Sequence, residues 1–197
     1  MNRRAFLTSV AAVAVSPAFT AFARVACGPF YNGVQACEAG IQSSLLAVSA
    51  VQRMPEWCWA ACIETVFAYY GHRVPQEQIV RETWGQIVNL PGQPEQIIRD
   101  LNRDWTDVNG ETFSVSGDVF SANPITAAQD LSEDMPLIIG TMGHAMVLSS
   151  LTYLRNAYGQ GEVKAAVVRD PWPGRGRRVL TPQEWYGTQF LARIRVE

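Results

Sequence analysis

Residues 52–70 read QRMPEWCWAACIETVFAYY, and this stretch decides how the rest of the chain is interpreted. Pro55 and the polar residues before it are typical of a loop. From Trp59 onward the apolar residues recur at helical spacing, and Gly71 ends the pattern. The stretch therefore predicts a loop that leads into a helix, with Cys58 at the junction.

The predicted position of Cys58 favours a reactive thiolate. The first turn of a helix holds backbone N–H groups without intrahelical acceptors, together with the positive end of the helix dipole. Both favour the thiolate, which is the nucleophilic form of cysteine. Gln52 lies six residues upstream, close enough to bring an amide donor near the same sulfur atom. On the residues alone, the alternative of Cys58 as half of a structural disulfide stays open.

The chain contains two histidines from which a base can be chosen. His72 follows a glycine in a polar turn, at the opposite end of the predicted helix from Cys58, and we interpret it as a solvated turn residue. His144 stands between a glycine and an alanine, directly before an apolar strand. These small neighbours leave room for an imidazole in a cleft, so His144 is the candidate base.

A histidine base needs a third group that fixes its ring and its tautomer. Asp170 follows the apolar stretch 165–169 and precedes Pro171 and Trp172. A carboxylate there is suited to orient His144, and Trp172 would shield the pair from water and so strengthen it. The other interpretation of Asp170 is a strand-end residue that begins a proline turn.

These clusters resemble papain-like cysteine proteases. Residues 52–61 contain Gln, then Cys six positions on, followed by Trp-Ala-Ala. This pattern is similar to the active-site entry of bacterial members that include plant-pathogen effector proteases. Glu56 and Trp57 stand where the plant and lysosomal enzymes have Gly and Ser. Residues 143–147 resemble the base motif. Residues 170–172 resemble the element that usually begins with Asn and begins with Asp in the effector branch.

The resemblance implies a fold and an activity. It implies an α+β fold, in which a helical half that carries the nucleophile packs on an antiparallel sheet half. It also implies hydrolysis of peptide bonds in a protein or peptide substrate through a Cys58–His144–Asp170 triad and a thioester, with Gln52 in the oxyanion hole. We expect Asp rather than Asn to raise the basicity of His144. No cofactor and no metal are expected, and a monomer is expected.

Two alternative functions stay open. The same thioester chemistry serves acyl transfer, so the chain could be an acyltransferase or an amidase. The second alternative is a non-catalytic papain-fold module that binds a partner or acts as a toxin component.

The patterns along the rest of the chain favour the same α+β class. Helical spacing with proline at the start predicts helices from residue 75, over 94–101 and over 124–134, and a capped short helix over 181–185. Apolar or alternating runs predict strands over 136–140, 145–153, 162–169 and 188–196. Residues 104–120 suggest a hairpin or an extended insert, and residues 41–51 a strand or an extended lead.

Some residues are expected to be structural rather than functional. Trp84, Trp105 and Trp185 are expected in the core. Arg175, Arg177 and Arg178 form a short basic run that we interpret as a solvated loop.

Residues 1–23 resemble a twin-arginine export signal. Arg3 and Arg4 precede a short apolar stretch, and residues 21–23 read Ala-Phe-Ala, which has the form of a cleavage site. Pro17 and the shortness of the apolar stretch argue against a membrane-spanning helix. We therefore expect one domain over 24–197, exported to the periplasm or secreted, without a long propeptide. A lipidated Cys27 at the mature N-terminus is the alternative.

The charge of the chain excludes some partners. The formal net charge is -2, and loss of the two arginines of the signal makes it -4. No strongly basic surface is implied, so neither nucleic acid nor, after signal removal, a membrane is an expected partner.

The four cysteines leave a choice of pairing. If Cys58 is a nucleophile it stays free. Cys27 and Cys37 enclose a short loop and are the expected disulfide, which leaves Cys62 as a buried thiol on the apolar stripe of the helix. A disulfide from Cys62 to Cys27 or Cys37 is the alternative.

Overall fold

The computed structural model of the 197-residue chain describes residues 25–42 and 49–197. The expected signal over 1–23 and its cleavage site lie outside these residues, as do residues 43–48 of the expected extended lead. The described remainder of that lead, residues 41–42 and 49–51, belongs to no strand.

The described residues form five helices and nine strands. The helices are α1 (Cys58–Tyr69), α2 (Gln76–Trp84), α3 (Pro94–Leu101), α4 (Pro124–Ser132) and α5 (Pro182–Tyr186). The strands are β1 (Ala26–Tyr31), β2 (Val34–Gly40), β3 (Arg103–Thr106), β4 (Thr112–Phe120), β5 (Leu137–Thr141), β6 (His144–Asn156), β7 (Gly161–Asp170), β8 (Gly176–Val179) and β9 (Thr188–Val196).

The helices and strands that the periodic patterns predict are all present, with ends shifted by a few residues. Residues 104–120 form the β3–β4 hairpin. Three strands were not predicted: β1, β2 and β8. Every residue of β1 is exposed, and β8 is short and mostly exposed. These edge strands therefore lack the apolar alternation that identifies a half-buried strand.

Every strand pairing among the described residues is antiparallel. The strands follow the order β1-β2-β6-β5-β9-β4-β3, and β7 pairs with β6 and β8 with β7. A large antiparallel sheet whose strands are interrupted along the chain by helices confirms the predicted α+β class.

Apolar layers cover both faces of the central sheet. All five residues of β5 are buried, and its apolar side chains alternate between two cores. Ile138 faces a core shared with α1, α2 and α3, whereas Leu137 and Ile139 face a second core that includes α4. Because α1 packs on the centre of the sheet, its first residue is held in a fixed position relative to β6.

The cysteines are arranged as expected. Cys27 and Cys37 form a disulfide across the β1–β2 pair. Cys58 and Cys62 are free thiols, and Cys62 is buried in the α1 core. The alternatives that pair Cys58 or Cys62 in a disulfide are therefore not realised.

The interpretation of His72 as a solvated turn residue is wrong. Its side chain is only 15% exposed. The ring stacks on Phe113 with ring centroids 4.0 Å apart, because the β3–β4 hairpin folds over the end of α1. Trp105 is buried, while Trp84 and Trp185 are partly buried against the two cores, as expected of structural residues.

Among the described residues, no helix has both the length and the apolar character needed to cross a membrane.

Candidate active site

Cys58 is the first residue of α1, as predicted. Trp57 precedes it at the helix N-cap, and no side chain caps the first turn within the described residues. The N–H groups of this turn also have no acceptors within the helix. A group that gains negative charge beside Cys58 would therefore meet available N–H donors and the positive end of the helix dipole.

Two tryptophans fix the backbone on either side of Cys58. The indole N–H of Trp57 donates to the carbonyl of Val88 at 2.7 Å, and that of Trp59 donates to Leu90 at 3.1 Å. Both indoles are buried. The two bonds tie the loop after α2 to the start of α1, so the tryptophans serve as structural anchors for Cys58.

His144 begins β6, directly after a tight turn. Met142 and Gly143, the two turn residues, have φ values of 50° and 76°, and Thr141 pairs with His144 across the turn. Positive φ at both central residues is typical of a type I′ hairpin, whose twist matches that of the strands. The turn places His144 at the end of the sheet, next to Cys58.

Asp170 is the last residue of β7, the neighbour of β6. His144 Nε2 lies 2.7 Å from Asp170 Oδ1, in a hydrogen bond. The Asp170 side chain is fully buried, and the backbone N–H of Trp172 donates to the same oxygen at 2.9 Å. The Trp172 ring meets His144 edge-on, with ring centroids 6.3 Å apart, and so covers one side of the pair.

The electrostatics of this pair favour a protonated imidazole. Burial alone would lower the pKa of His144, but hydrogen bonds to Asp170 and Cys58, and the charges of these groups, raise it to about 9. Burial would raise the pKa of Asp170, yet the hydrogen bonds from His144, from Trp172 N–H and from Arg178 hold it well below its usual range. The effect of Asp170 on His144 has the direction expected from the sequence.

The structure thus brings Cys58, His144 and Asp170 together. Because Nε2 of His144 is engaged by Asp170, the Nδ1 side of the ring is the one left for the hydrogen bond with the Cys58 side chain.

Gln52 is placed in the loop that precedes Cys58. Its amide nitrogen donates to the carbonyls of Met54 at 3.1 Å and Pro55 at 2.9 Å, so both amide hydrogens are engaged in the loop. Its backbone N–H donates to Pro171 at 2.9 Å, which joins this loop to the residue after Asp170. The buried amide oxygen has no hydrogen-bond partner within the described part of the chain.

Two clefts meet at the Cys58–His144 pair, and both residues line each of them. The larger cleft, about 570 Å³, has a mainly apolar floor that includes Ile98, Leu101 and Phe190. A side chain at Gly140 would lie 2.0 Å from the Phe190 ring, so glycine is what allows this ring to pack there. The smaller cleft, about 440 Å³, is more polar and is lined by Met142, Trp172, Arg175, Arg178 and Glu184, among others.

The interpretation of Arg175, Arg177 and Arg178 as a solvated loop is only partly right. All three were expected to be solvated, and Arg175 and Arg177 are exposed, but Arg178 is only 22% exposed. Arg177 and Arg178 lie on β8 rather than in a loop. The guanidinium Nε of Arg178 donates to Asp170 Oδ2 at 2.8 Å, and both terminal nitrogens donate to Glu184. The sequence carried one relevant signal, the Thr-x-x-Glu pattern of a helix capping box that positions Glu184.

One group of potential metal ligands lies outside both clefts. His72, Asp107 and Glu111 place ligand atoms within 4.8 Å of one another. The sequence did not suggest that His72 lies near two carboxylates. The buried carboxylate of Asp107 accepts the backbone N–H groups of Asn109 at 2.8 Å and Glu111 at 3.0 Å, which organises the β3–β4 turn. The absence of a metal or cofactor from the reaction stays a prediction.

No model of a known protein family matches this chain, and a search of curated proteins finds no match either.

Proposed function

We propose that this protein is a cysteine peptidase with a papain-like fold, which hydrolyses peptide bonds in a protein or peptide substrate. The observation that carries the proposal is the grouping of Cys58, His144 and Asp170 at the N-terminus of a buried helix where two clefts meet, with His144 hydrogen-bonded to Asp170 at 2.7 Å. Support also comes from the order of the elements, in which a helix carries the nucleophile and later strands carry the base and its partner.

The acylation step uses Cys58 and His144. The sulfur of the Cys58 thiolate attacks the carbonyl carbon of the peptide bond, and His144 in its imidazolium form gives its proton to the leaving amine. The product is a thioester on Cys58 and a neutral imidazole. Asp170 keeps the ring in the orientation in which Nδ1 faces both the sulfur and the leaving nitrogen.

The deacylation step reverses the role of His144. The neutral imidazole takes a proton from water, which attacks the thioester and releases the carboxylic acid and the thiolate. The clefts on the two sides of the pair would hold the polypeptide before and after the scissile bond. A substrate with an extended backbone could then span both clefts.

The tetrahedral intermediates require donors for their oxyanion. The backbone N–H of Cys58 at the helix start can supply one. The Gln52 amide can supply a second by exchanging one of its hydrogen bonds to the loop carbonyls for one to the oxyanion.

We expect Gln52→Ala to lower kcat by about 10²- to 10³-fold with little change in KM, because the lost donor acts on the transition state. Gln76→Ala is the matched control. Gln76 is a buried amide that also holds this loop, through the backbone N–H of Arg53 and the carbonyl of Val51, each at 3.0 Å. An equal loss of kcat in both variants would show that Gln52 only supports the loop.

We expect activity to persist in alkaline solution and to fall as the pH rises through about 9, where His144 loses its proton. The raised pKa of His144 also makes the stability of the folded protein depend on pH. The pKa of His144 in the folded protein is raised above its ordinary value. The stabilisation that the protonated ring adds to the free energy of unfolding is therefore complete below about pH 6.5 and is lost as the pH rises to about 9. Profiles of kcat/KM and of unfolding free energy against pH measure both effects. A fall of kcat/KM with rising pH that is centred near pH 6.5 would contradict the raised pKa of His144.

A peptidyl epoxide that alkylates thiolates tests the proposal. We expect one adduct per folded molecule, on Cys58, and none on Cys62, which is buried. Peptide mapping locates the adduct, and Cys58→Ala should remove it. Absence of labelling in the folded protein would favour a non-catalytic binding module. Labelling without cleavage of a peptide library, but with transfer to added amines, would favour the acyltransferase alternative.

We further propose that the protein is exported and acts as a monomer. The Cys27–Cys37 disulfide is compatible with an oxidising compartment, and residues 1–23 would direct export there.

A further inference from the structure

We infer that Arg178 and Glu184 form a positioning pair for the peptidase reaction, in which Arg178 holds the Asp170 carboxylate in the orientation that lets it bind His144. This inference rests on the proposed function, which it extends from the triad to the strand and helix that support it. Neither residue contacts the reacting atoms, so both act through Asp170.

The two oxygens of Asp170 have separate partners. Oδ1 accepts from His144 Nε2 at 2.7 Å and from the Trp172 N–H at 2.9 Å. Oδ2 accepts from Arg178 Nε at 2.8 Å, with the exposed Arg175 more distant at 3.5 Å. Because Arg178 occupies Oδ2, the carboxylate cannot rotate about its side-chain bond without breaking a charge-assisted hydrogen bond.

Glu184 fixes Arg178 in turn. Its two oxygens accept from the terminal nitrogens of Arg178 at 2.6 and 3.0 Å, in a two-point contact that sets the plane of the guanidinium. Arg178 also contacts the Met146 sulfur at 3.1 Å. Glu184 forms the capping box of α5 with Thr181, so the start of this helix fixes the position of the Glu184 side chain. The contacts run from the α5 start through Glu184, Arg178 and Asp170 to His144.

The charges of the pair also matter for His144. Arg178 alone would offset the negative charge with which Asp170 stabilises the imidazolium, and Glu184 balances Arg178. The ion pair with Arg178 lowers the pKa of Glu184 to about 2, so this carboxylate stays ionised at neutral pH.

Few other charged groups face His144. The Cys58 side chain contacts its ring from α1, and Asp170 contacts it from β7. Glu56 and Arg175 line the same polar cleft and are exposed. Arg178 and Glu184 are less exposed than these two residues, so water screens their charges less.

We expect substitutions at Arg178 and at Glu184 to have different effects on His144. Arg178→Gln removes the bond that orients Asp170, so the His144 Nε2–H bond should weaken and exchange with water. Glu184→Gln keeps one acceptor oxygen, which can serve Arg178 Nη1 and the Thr181 N–H as Oε2 does in the wild type, but it removes the second acceptor and leaves the arginine charge unbalanced. The hydrogen bond between His144 Nε2 and Asp170 should then persist, while the pH midpoint of the His144 titration should fall.

The experiment is proton NMR of the folded protein without a histidine tag, combined with steady-state kinetics. Wild-type protein should show a downfield ring N–H resonance that His144→Ala removes. We expect Arg178→Gln to lose this resonance and to lower kcat on the order of 10- to 100-fold at similar KM. Arg177 lies on β8 and is exposed, so Arg177→Gln should retain both the resonance and the wild-type kcat. Glu184→Gln should keep the resonance and lower the His144 midpoint.

Two results would overturn the inference. One is an unchanged ring resonance in Arg178→Gln; the other is a Glu184→Gln midpoint equal to that of wild type. If Arg178→Gln does not fold, Arg178→Lys replaces it, because an ammonium cannot reproduce the planar contact with two carboxylates. An unchanged resonance in Arg178→Lys would then count against the inference. The NMR readout needs no peptide hydrolysis, so a protein without peptidase activity still tests the role of Arg178.

Discussion

His144→Ala should reduce kcat/KM for peptide hydrolysis by about 10²- to 10⁴-fold, the range that general acid–base catalysis contributes. The substitution removes the imidazole that we propose protonates the leaving amine and activates water for the thioester. Alkylation of Cys58 by the epoxide should slow as well, because the hydrogen bond between the Cys58 and His144 side chains is lost. Steady-state kinetics and the second-order rate of labelling measure these effects.

His72→Gln is the matched control, because His72 is the other histidine of the chain. It stacks on Phe113 at the far end of α1, so the substitution should reduce stability and leave catalytic constants per folded molecule unchanged. Equal losses in His72→Gln and His144→Ala would mean that His144 supports the structure rather than the chemistry.

Phe67→Ala should lower the free energy of unfolding by about 3–5 kcal/mol, the range observed when a buried aromatic ring is removed. Phe67 lies on α1 and is fully buried. Its ring contacts Trp105, with centroids 5.4 Å apart, and Phe113, with centroids 5.2 Å apart in an edge-on arrangement. The cavity left by the ring would therefore separate α1 from the β3–β4 hairpin. Urea unfolding followed by tryptophan fluorescence measures the loss.

Phe67→Leu keeps most of the apolar volume and should cost less than about 1.5 kcal/mol. Because α1 carries Cys58, the alanine variant should also lose labelling in proportion to its unfolded fraction. A Phe67→Ala protein as stable as Phe67→Leu would contradict the assignment of this ring to the core that holds α1 and Cys58.

The local signals of the chain predicted much of the α+β frame. Helical spacing from Trp59 and the stop at Gly71 located α1, and apolar or alternating runs located β5, β6, β7 and β9. The β1 and β8 strands were missed because each lies at an edge with exposed side chains, where burial imposes no pattern on the sequence.

The two histidines show where local reasoning succeeds and where it fails. His144 was expected at the start of an apolar strand because the residues that follow it form an apolar run, and the structure places it there. His72 was expected in solvent because its neighbours are polar, yet Phe113 and Asp107, distant in sequence, cover it. Its environment depends on where the β3–β4 hairpin packs, which the turn itself does not encode.

The sequence by itself determined that Cys58 begins a helix and that a histidine and an aspartate end up at the ends of two strands, since each of these follows from short-range periodicity and turn chemistry. Only the tertiary structure decided which atoms meet. The pairing of Val168 with Arg178 turns the arginine toward Asp170, and packing of α1 on β6 brings Cys58 to His144. Such contacts depend on strand register and on the packing of distant segments, because shifting a strand by one residue reverses the face on which every side chain lies.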